Sequence, residues 1–258
     1  MSLSSSPKLP ASYRLVNLGT TDSTNAEAMR RAESGEPGPL WVWSARQSSG
    51  RGRQGREWHS QAGNLFASLL IGVACSLRTA SQLALVAGVV AYDTIDKLMG
   101  EANHPEILLK WPNDVMLEEA KVAGMLLESA ERKISNRLIV VIGTGINIAR
   151  HPEDLAVPAT SLAAHGITVT TAQALEALAD QTDYWLGRWD NGAMFGVIRR
   201  AWLDRAGPTG RPLRVRIKDE QETEGLYAGL DSEGGLRLLM SDGAERRVAA
   251  GDVFFGTP

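Results

Sequence analysis

The sequence has few of the features that mark a secreted or membrane protein. It contains one cysteine, Cys75, which excludes an internal disulfide framework and fits a reducing compartment. The first twelve residues, MSLSSSPKLPAS, lack the apolar core of a signal peptide. The longest apolar stretch, residues 83–92, is too short to cross a bilayer. We therefore expect a cytoplasmic protein with no membrane partner.

An excess of positive charge is also missing. The 258 residues include 27 Lys and Arg against 30 Asp and Glu, which gives a net charge of -3. Proteins that bind nucleic acids generally carry a basic excess or a basic stripe. This balance argues against a general nucleic-acid binder, so any positive cluster is local and suits a small anion.

Several common catalytic arrangements lack their residues. The four histidines show no metal-ligand spacing, and no Gly-x-Ser-x-Gly nucleophile motif is present. Cys75 has no basic neighbour in the sequence to activate its thiol. Hydrolysis by a serine or cysteine nucleophile, and zinc catalysis, are therefore disfavoured.

The pattern of apolar residues predicts an α+β fold followed by a small β module. Up to about residue 207, segments with apolar residues at helical spacing alternate with short apolar segments typical of strands. This order indicates a mixed sheet with helices. The composition changes at 206–212, AGPTGRP, and short alternating segments follow, as in a small β-barrel. We predict a flexible tail at 1–12, a catalytic domain at 13–207 and a β-barrel domain at 211–258.

The segment SSGRGRQGREWHS, residues 48–60, places three glycines and three arginines within residues 50–56. It formally matches G-x-G-x-x-G, but Gly63 and Asn64 interrupt any following helix, and no acidic residue stands near position 75. A dinucleotide-binding turn needs both features, and a P-loop needs a Gly-Lys-Ser or Gly-Lys-Thr. Neither interpretation fits.

Two interpretations of this loop stay open on the residues alone. A solvated basic turn explains the glycines but not the density of arginine. Alternatively, mobile glycine backbone can approach an anion, guanidinium groups bind phosphate or carboxylate, and Trp58 can stack on a purine. We favour the second interpretation, a clamp for a phosphate and a base.

The segment LKWPNDVM adds a second group of candidates. Lys110 is a point charge for phosphate, and Asp114 at a tight turn can hold Mg²⁺ together with phosphates. Lys121 follows seven residues after Asp114. An ordinary turn and a solvated lysine at a strand edge would also explain these residues. Their closeness in sequence favours an enzyme that binds a nucleotide and handles a phosphoryl or acyl-phosphate group.

Five motifs taken in order resemble the biotin protein ligase family: DSTN, QSSGRGRQGREW, KWPNDV, KVAGML and GTGINI. The resemblance runs from about Thr20 to the C-terminus. It implies a class II synthetase-like mixed β-sheet domain with helices and a C-terminal SH3-like barrel. It also implies that biotin and ATP form biotinyl-5'-AMP and pyrophosphate, with Mg²⁺. Biotin then passes to a lysine of the biotin carboxyl carrier protein of acetyl-CoA carboxylase or a related carboxylase.

The resemblance further implies roles for individual residues. The catalytic roles fall to Lys121, which bridges the biotin carboxylate and the α-phosphate, and to Arg53. The biotin site implied by the motifs comprises Ser23, Thr24, Asn25, Gln47, Gly50, Arg51, Gly52, Arg53, Lys121 and Gly124. The implied site for ATP and the adenylate comprises Arg51, Arg53, Trp58, Lys110, Asn113 and Asn147, with Asp114 holding the metal.

The chain also departs from the family pattern. Many members carry an acidic residue before the loop glutamine, where this chain has Arg46, and we expect this to alter loop packing. The catalytic domain begins near residue 13, so we expect a monofunctional ligase without the DNA-binding repressor domain of some members, and no DNA partner. Weak homodimerisation fits the family. Two alternatives stay open, a lipoate ligase of the same superfamily and a non-catalytic biotin or nucleotide sensor.

Overall fold

A computed structural model describes residues 6–100, 105–134, 136–153, 155, 157–216 and 222–255 of the protein. The predicted tail and the predicted C-terminal domain lie partly outside these ranges, at positions 1–5, 217–221 and 256–258. Within these described ranges the chain forms twelve strands and five α-helices.

A seven-stranded mixed sheet organises the larger part of the chain. Its strands are β1 (Arg14–Thr21), β2 (Leu40–Gln47), β3 (Leu65–Val73), β4 (Ile107–Lys110), β5 (Asp114–Leu117), β6 (Ala120–Ile134) and β7 (Arg137–Ile146). Their order is β1-β2-β3-β7-β6-β5-β4. The β1 and β2 pair is parallel, and the other neighbours are antiparallel.

Five helices cover the two faces of this sheet. They are α1 (Thr24–Glu33), α2 (Leu77–Ala80), α3 (Leu83–Met99), α4 (Thr171–Trp189) and α5 (Phe195–Leu203). The larger apolar core contains buried residues of α3, α4 and α5, and the smaller one contains Ala28 and Ala32 of α1. Because successive strand side chains face opposite sides, β2 contributes Trp41 to the larger core and Val42 to the smaller.

The start of α1 follows from its sequence. The hydroxyl of Ser23 accepts a hydrogen bond from the backbone N–H of Ala26, as expected for a serine N-cap. The residues Ser23, Thr24 and Asn25 before Ala26 predict a helix capped at one of them, and the structure confirms this with Ser23 as the N-cap. This cap places Ser23, Thr24 and Asn25 in the buried interior, where α1 packs against β2, β3 and β7.

The C-terminal part forms a separate five-stranded antiparallel sheet. Its strands are β8 (Pro212–Arg216), β9 (Thr223–Leu230), β10 (Leu236–Leu239), β11 (Glu245–Val248) and β12 (Asp252–Phe255), in the order β11-β10-β9-β8-β12. Several hydrogen bonds attach it to the larger part, among them the following two. Trp111 Nε1 donates to the carbonyl of Gly234 at 3.1 Å, and Arg199 Nε donates to the carbonyl of Asp231 at 2.7 Å.

Most predicted elements are confirmed, and three details differ. Strand β1 was not predicted, because this edge strand is half exposed and lacks a buried apolar run. The sequence of residues 245–255 predicts one strand, but the segment forms β11 and β12, which pair with different partners because residues 249–251 interrupt it. The helical spacing of apolar residues over 79–100 predicts one helix, but the structure has two there, α2 and α3.

The described part of the predicted tail contacts the larger part of the chain. The backbone N–H of Lys8 donates to Glu176 of α4 at 2.7 Å, and Leu9 packs against the larger core. Within the described ranges, none of the helices has both the length and the apolar character needed to cross a membrane.

Candidate active site

A cavity of about 310 Å³ lies where the glycine–arginine loop, the large sheet and the C-terminal sheet meet. Every residue predicted for the site lines it, with the exception of Gly50. Residues separated by more than a hundred positions, such as Ser23 and Asn147, therefore share one cavity wall. Residues of the C-terminal sheet, including Asp252, also line it.

Gly50 has a structural position behind the cavity. A side chain there would lie 2.4 Å from the carbonyl oxygen of Trp58 and 2.4 Å from Ser60 Oγ. The backbone carbonyl of Gly50 accepts a hydrogen bond from the N–H of Trp58 at 2.9 Å. This glycine therefore permits the close approach of the two ends of the loop.

The deep end of the cavity is polar and densely hydrogen-bonded. Gln47 Oε1 accepts from the backbone N–H of Thr24 at 2.8 Å and from its hydroxyl at 3.1 Å. The Ser68 hydroxyl lies 2.7 Å from Thr24 Oγ1 and 2.6 Å from Asn25 Oδ1. Sequence reasoning missed Ser68, although a serine inside the apolar strand LFASLLIGV signals a buried polar function.

Three glycines form a flat floor in the middle of the cavity. Gly124 of β6 pairs with Gly145 of β7, and Trp58 lies over both. A Cβ atom at Gly145 would lie 2.5 Å from the Trp58 ring, and one at Gly143 would lie 2.2 Å from Asn25 Oδ1. Only Gly124 was predicted. Gly143 and Gly145 were missed, although two glycines at i and i+2 of a strand leave one face of the sheet without side chains.

A buried ion cluster lies at the opposite end. Lys110 and Asp114 are register partners across β4 and β5, and Lys121 follows on β6. Asp114 Oδ1 lies 2.6 Å from Lys121 Nζ, and its Oδ2 lies 3.5 Å from Lys110 Nζ. Burial raises the pKa of Asp114, but the two lysines outweigh burial and hold that pKa below its ordinary value. Burial lowers the pKa of Lys110, and Asp114 opposes that shift.

The backbone around Lys121 is fixed by a crossing segment. The N–H of Lys121 donates to the carbonyl of Pro158 at 2.8 Å, and its carbonyl accepts from the N–H of Thr160 at 2.9 Å. Asn147 Nδ2 donates to the carbonyl of Thr160 at 3.0 Å. Through this hydrogen bond the buried Asn147 side chain holds the segment that contacts the backbone of Lys121.

Two arginines of the loop reach the C-terminal sheet. Arg53 Nη1 donates to the carbonyl of Gly251 at 3.2 Å and to Asn113 Oδ1 at 3.4 Å. Arg56 Nη2 donates to Asp252 Oδ1 at 2.8 Å. Burial lowers the pKa of Arg53, and Asp252 opposes that shift. Gly251 and Asp252 were not predicted, because they lie about 200 positions from the loop. Arg46 is exposed at the end of β2.

Comparison with known proteins places this geometry in a family. The sequence model of the Biotin/lipoate A/B protein ligase family matches residues 19–147, and that of the Biotin protein ligase C terminal domain matches residues 210–256. The chain belongs to the biotin protein ligase family. The second match covers all five strands of the C-terminal sheet.

Individual relatives extend along nearly the whole chain. The Biotin--[acetyl-CoA-carboxylase] ligase of Paracoccus denitrificans is 37% identical over 245 residues, covering 93% of this chain and 99% of that protein. The bifunctional ligase/repressor BirA of Escherichia coli is 30% identical, covering 92% of this chain and 72% of its own length. The solved biotin protein ligase of Aquifex aeolicus in complex with biotin and ATP superposes with a TM-score of 0.77 at 25% identity, covering 94% of this chain and 99% of that one. The predicted family and fold class are confirmed.

The ion cluster yields a prediction about stability. Asp114→Asn is expected to lower the free energy of unfolding by about 3 to 5 kcal/mol at pH 7, because it leaves two lysines without their carboxylate partner. The folded pKa of Asp114 is depressed, so its contribution is present above the unfolded pKa and is lost as pH falls through the folded pKa.

Urea unfolding of both proteins between pH 7 and pH 3 measures this difference. We expect the advantage of the wild type to shrink only toward the acid end of this range. Equal stability at pH 7 would contradict the proposed role of Asp114 in neutralising the cluster.

Proposed function

We propose that this protein is a biotin protein ligase that works in two steps. In the first step a carboxylate oxygen of biotin attacks the α-phosphorus of ATP, and pyrophosphate leaves with the broken phosphoanhydride bond. In the second step the amine of a carrier lysine attacks the acyl carbon of biotinyl-5'-AMP. AMP leaves, an amide forms, and the attacking nitrogen loses a proton.

The observation that carries this proposal is the convergence of cations on one end of the cavity. Lys110, Lys121 and Arg53 all line it, and the cavity also holds a polar deep end. A carboxylate and a triphosphate repel each other, so the reaction needs fixed positive charge where they meet. A carboxylate is already ionised near pH 7, so the first step needs no general base.

The two ends of the cavity suit the two ends of biotin. The hydrogen-bonding groups of Ser23, Thr24 and Gln47 suit the ureido ring, which carries both donors and an acceptor. Gly124 and Gly145 let the Trp58 ring lie close against the sheet, so that this ring forms one wall of the space for the bicyclic body. The carboxylate then extends toward Lys121 and the arginines of the loop, and Trp58 covers the adenylate.

The remaining residues of the cavity suit the nucleotide and the loop that covers it. Lys110 belongs to the ion cluster and Asn113 adjoins it, where the phosphates of ATP would lie. Asn147 lies near the adenine and ribose in this arrangement. The loop backbone at Gly52, beside Arg51, can close over the ligand because a glycine gives the chain the freedom to move.

The chemistry of the cavity also fits Mg²⁺. Within the described residues, no cluster of three or more His, Cys, Asp or Glu side chains is placed to hold a metal. Mg²⁺ is commonly bound by one or two carboxylates together with substrate phosphates, and Asp114 offers one carboxylate beside two phosphate-binding lysines. We propose that Asp114 holds Mg²⁺ when the nucleotide is present, where the ion would neutralise phosphate charge.

The acceptor is proposed to be a carrier protein. Two relatives that match 93% and 90% of the chain carry the name Biotin--[acetyl-CoA-carboxylase] ligase. We therefore propose that the biotin carboxyl carrier domain of acetyl-CoA carboxylase, or of a related carboxylase, supplies the lysine.

A lipoate ligase is the alternative within the same superfamily, since one matching family model covers both activities. A lipoyl ring offers no hydrogen-bonding partner to Thr24 and Gln47, so their arrangement favours biotin.

A transfer assay tests the complete function. Purified protein, ATP, Mg²⁺ and biotin are incubated with a biotin carboxyl carrier domain, and mass spectrometry follows the acceptor. The proposal predicts a mass increase of one biotin on one lysine, which is lost when that lysine is replaced by arginine. Pyrophosphate release without transfer to the acceptor would support only the first step of the proposed reaction. Biotin binding without pyrophosphate release would identify the protein as a non-catalytic sensor.

The C-terminal sheet contributes to nucleotide use in this account. Asp252→Asn removes the partner of Arg56 and the closest carboxylate to Arg53, at 2.8 and 3.8 Å. We expect the KM for ATP to rise about fivefold, because an ion pair near the surface contributes about 1 kcal/mol. Biotin affinity is expected to stay unchanged, since the polar deep end contains no residue of this sheet.

Steady-state pyrophosphate release measures the first effect, and titration calorimetry with biotin measures the second. Asp180→Asn is the matched control, because Asp180 forms an exposed ion pair with Lys97 on the helical side. A change confined to biotin affinity would contradict this assignment.

A further inference from the structure

Glu128 is a carboxylate beside the cavity that the proposed reaction does not use. It lies on β6, four residues after Gly124, and faces the groove behind the glycine–arginine loop. Its Oε2 atom accepts a hydrogen bond from Asn25 Nδ2 at 2.7 Å and another from Arg51 Nη2 at 2.9 Å. One oxygen atom thus joins the start of α1 to the loop.

The first of these bonds fixes the orientation of the Asn25 amide. Glu128 and the carbonyl of Leu126, at 3.3 Å, can only accept hydrogen bonds, so both must face the amide nitrogen. The amide oxygen then faces Ser68, whose hydroxyl donates to it at 2.6 Å. The orientation of Asn25 in turn fixes Ser68, which contacts Thr24 at the polar deep end.

The second bond holds the loop against the large sheet. The backbone of Arg51 forms an antiparallel bridge with Glu57 inside the loop. A contact to the Arg51 side chain therefore holds both strands of this bridge in place. Arg53 and Arg56 hold the other side of the loop to the C-terminal sheet. Glu128 is therefore the carboxylate that binds a loop arginine on the side of the deep end, where backbone hydrogen bonds from Ser48 and Ser49 also hold the start of the loop.

We propose that Glu128 is a positioning residue that couples the biotin pocket to closure of the loop. This inference rests on the proposed function. Loss of the carboxylate releases both the Asn25 amide and the Arg51 side chain, so the pocket loses its order and the loop loses its tether together. Glu128 does not line the cavity in which the proposed ligands would lie, so the rate of the chemical step at saturation stays nearly unchanged.

Glu128→Ala is expected to weaken biotin binding and to speed release of biotinyl-5'-AMP, each by about tenfold, because it removes two charge-assisted hydrogen bonds at a half-buried site. Glu128→Gln keeps an acceptor oxygen for Asn25 but loses the ion pair. It is expected to retain most of the biotin affinity while still releasing the adenylate faster. The maximal rate of the first step should change less than about twofold in both variants, since the charges on the reacting groups are retained.

The experiment measures biotin affinity by calorimetry, adenylate release by gel filtration, and the maximal rate by pyrophosphate release. Glu245→Gln is the control, because Glu245 forms an exposed ion pair with Arg237 away from the cavity. In the background of Arg51→Gln, the further effect of Glu128→Gln on adenylate release should largely disappear, since the two side chains act through one contact.

The outcomes separate this inference from the proposed function. Wild-type protein that neither binds biotin nor releases pyrophosphate would contradict the proposed function. If the wild type is active and Glu128→Ala binds biotin and retains the adenylate as well as the wild type does, the role of Glu128 would be overturned. A fall in the maximal rate with unchanged affinity would also overturn it. Because Glu128→Gln has the same shape as the wild type, it tests the inference even if the alanine variant fails to fold.

Discussion

Replacing Lys121 with alanine is expected to lower the rate of biotinyl-5'-AMP formation by about 30- to 1,000-fold. Lys121 Nζ lies 2.6 Å from Asp114 and 5.2 Å from the centre of the Trp58 ring, at the point where the two anions would meet. A fixed charge of this kind contributes about 2 to 4 kcal/mol to a transition state that gains negative charge.

Pyrophosphate release under saturating ATP and biotin measures this loss, and thermal unfolding measures stability. Lys97→Ala is the matched control, because Lys97 forms an exposed ion pair with Asp180 and is distant from the cavity. A normal rate of adenylation in Lys121→Ala would mean that Lys121 is only a lysine at a strand edge.

Replacing Arg53 with glycine is expected to weaken biotin binding and to release the adenylate early, while adenylate synthesis continues because Lys110 and Lys121 remain in the cavity. Biotinyl-5'-AMP is a mixed anhydride that reacts with amines, so a ligase must retain it until the carrier lysine arrives. The Arg53 side chain connects the loop to Asn113 and to the carbonyl of Gly251. Losing charge-assisted contacts of about 1.5 to 3 kcal/mol speeds escape by roughly one to two orders of magnitude.

Labelling of a bystander protein measures this release. Wild type and variant are incubated with ATP, biotin and serum albumin, and the albumin is blotted for biotin. Gln54→Gly is the control, since Gln54 has a positive φ of 56° that glycine adopts easily and the change removes no charge. Equal, negligible labelling by Arg53→Gly together with normal pyrophosphate release would show that Arg53 does not retain the intermediate.

The parts of the site that could be predicted from sequence are those built from local patterns. The start of α1 at Ser23 follows from capping chemistry, and Lys110 meets Asp114 because a tight turn pairs two short strands in register. The next strand, β6, brings Lys121 beside them, and the short separation of seven residues from Asp114 suggests this contact. Backbone geometry over a few residues determines all of these contacts.

The contacts that escaped prediction depend on packing between distant segments. Asp252 and Gly251 reach the loop only because the C-terminal sheet lies against the cavity. Glu128 has no local pattern that marks it, since its two donors come from Asn25 and Arg51 on other elements. Strand β1 escaped because an edge strand has only a weak alternation of apolar and polar residues.

The direct test of the account is pyrophosphate release by the purified protein with ATP, Mg²⁺ and, in parallel, biotin, lipoate or octanoate. We predict release with biotin at a rate that Lys121→Ala reduces by about 30-fold or more, and negligible release with lipoate or octanoate. A preference for lipoate or octanoate, or no release with any acid under conditions where the folded protein binds ATP, would contradict the assignment of this cavity as a biotin-adenylating site.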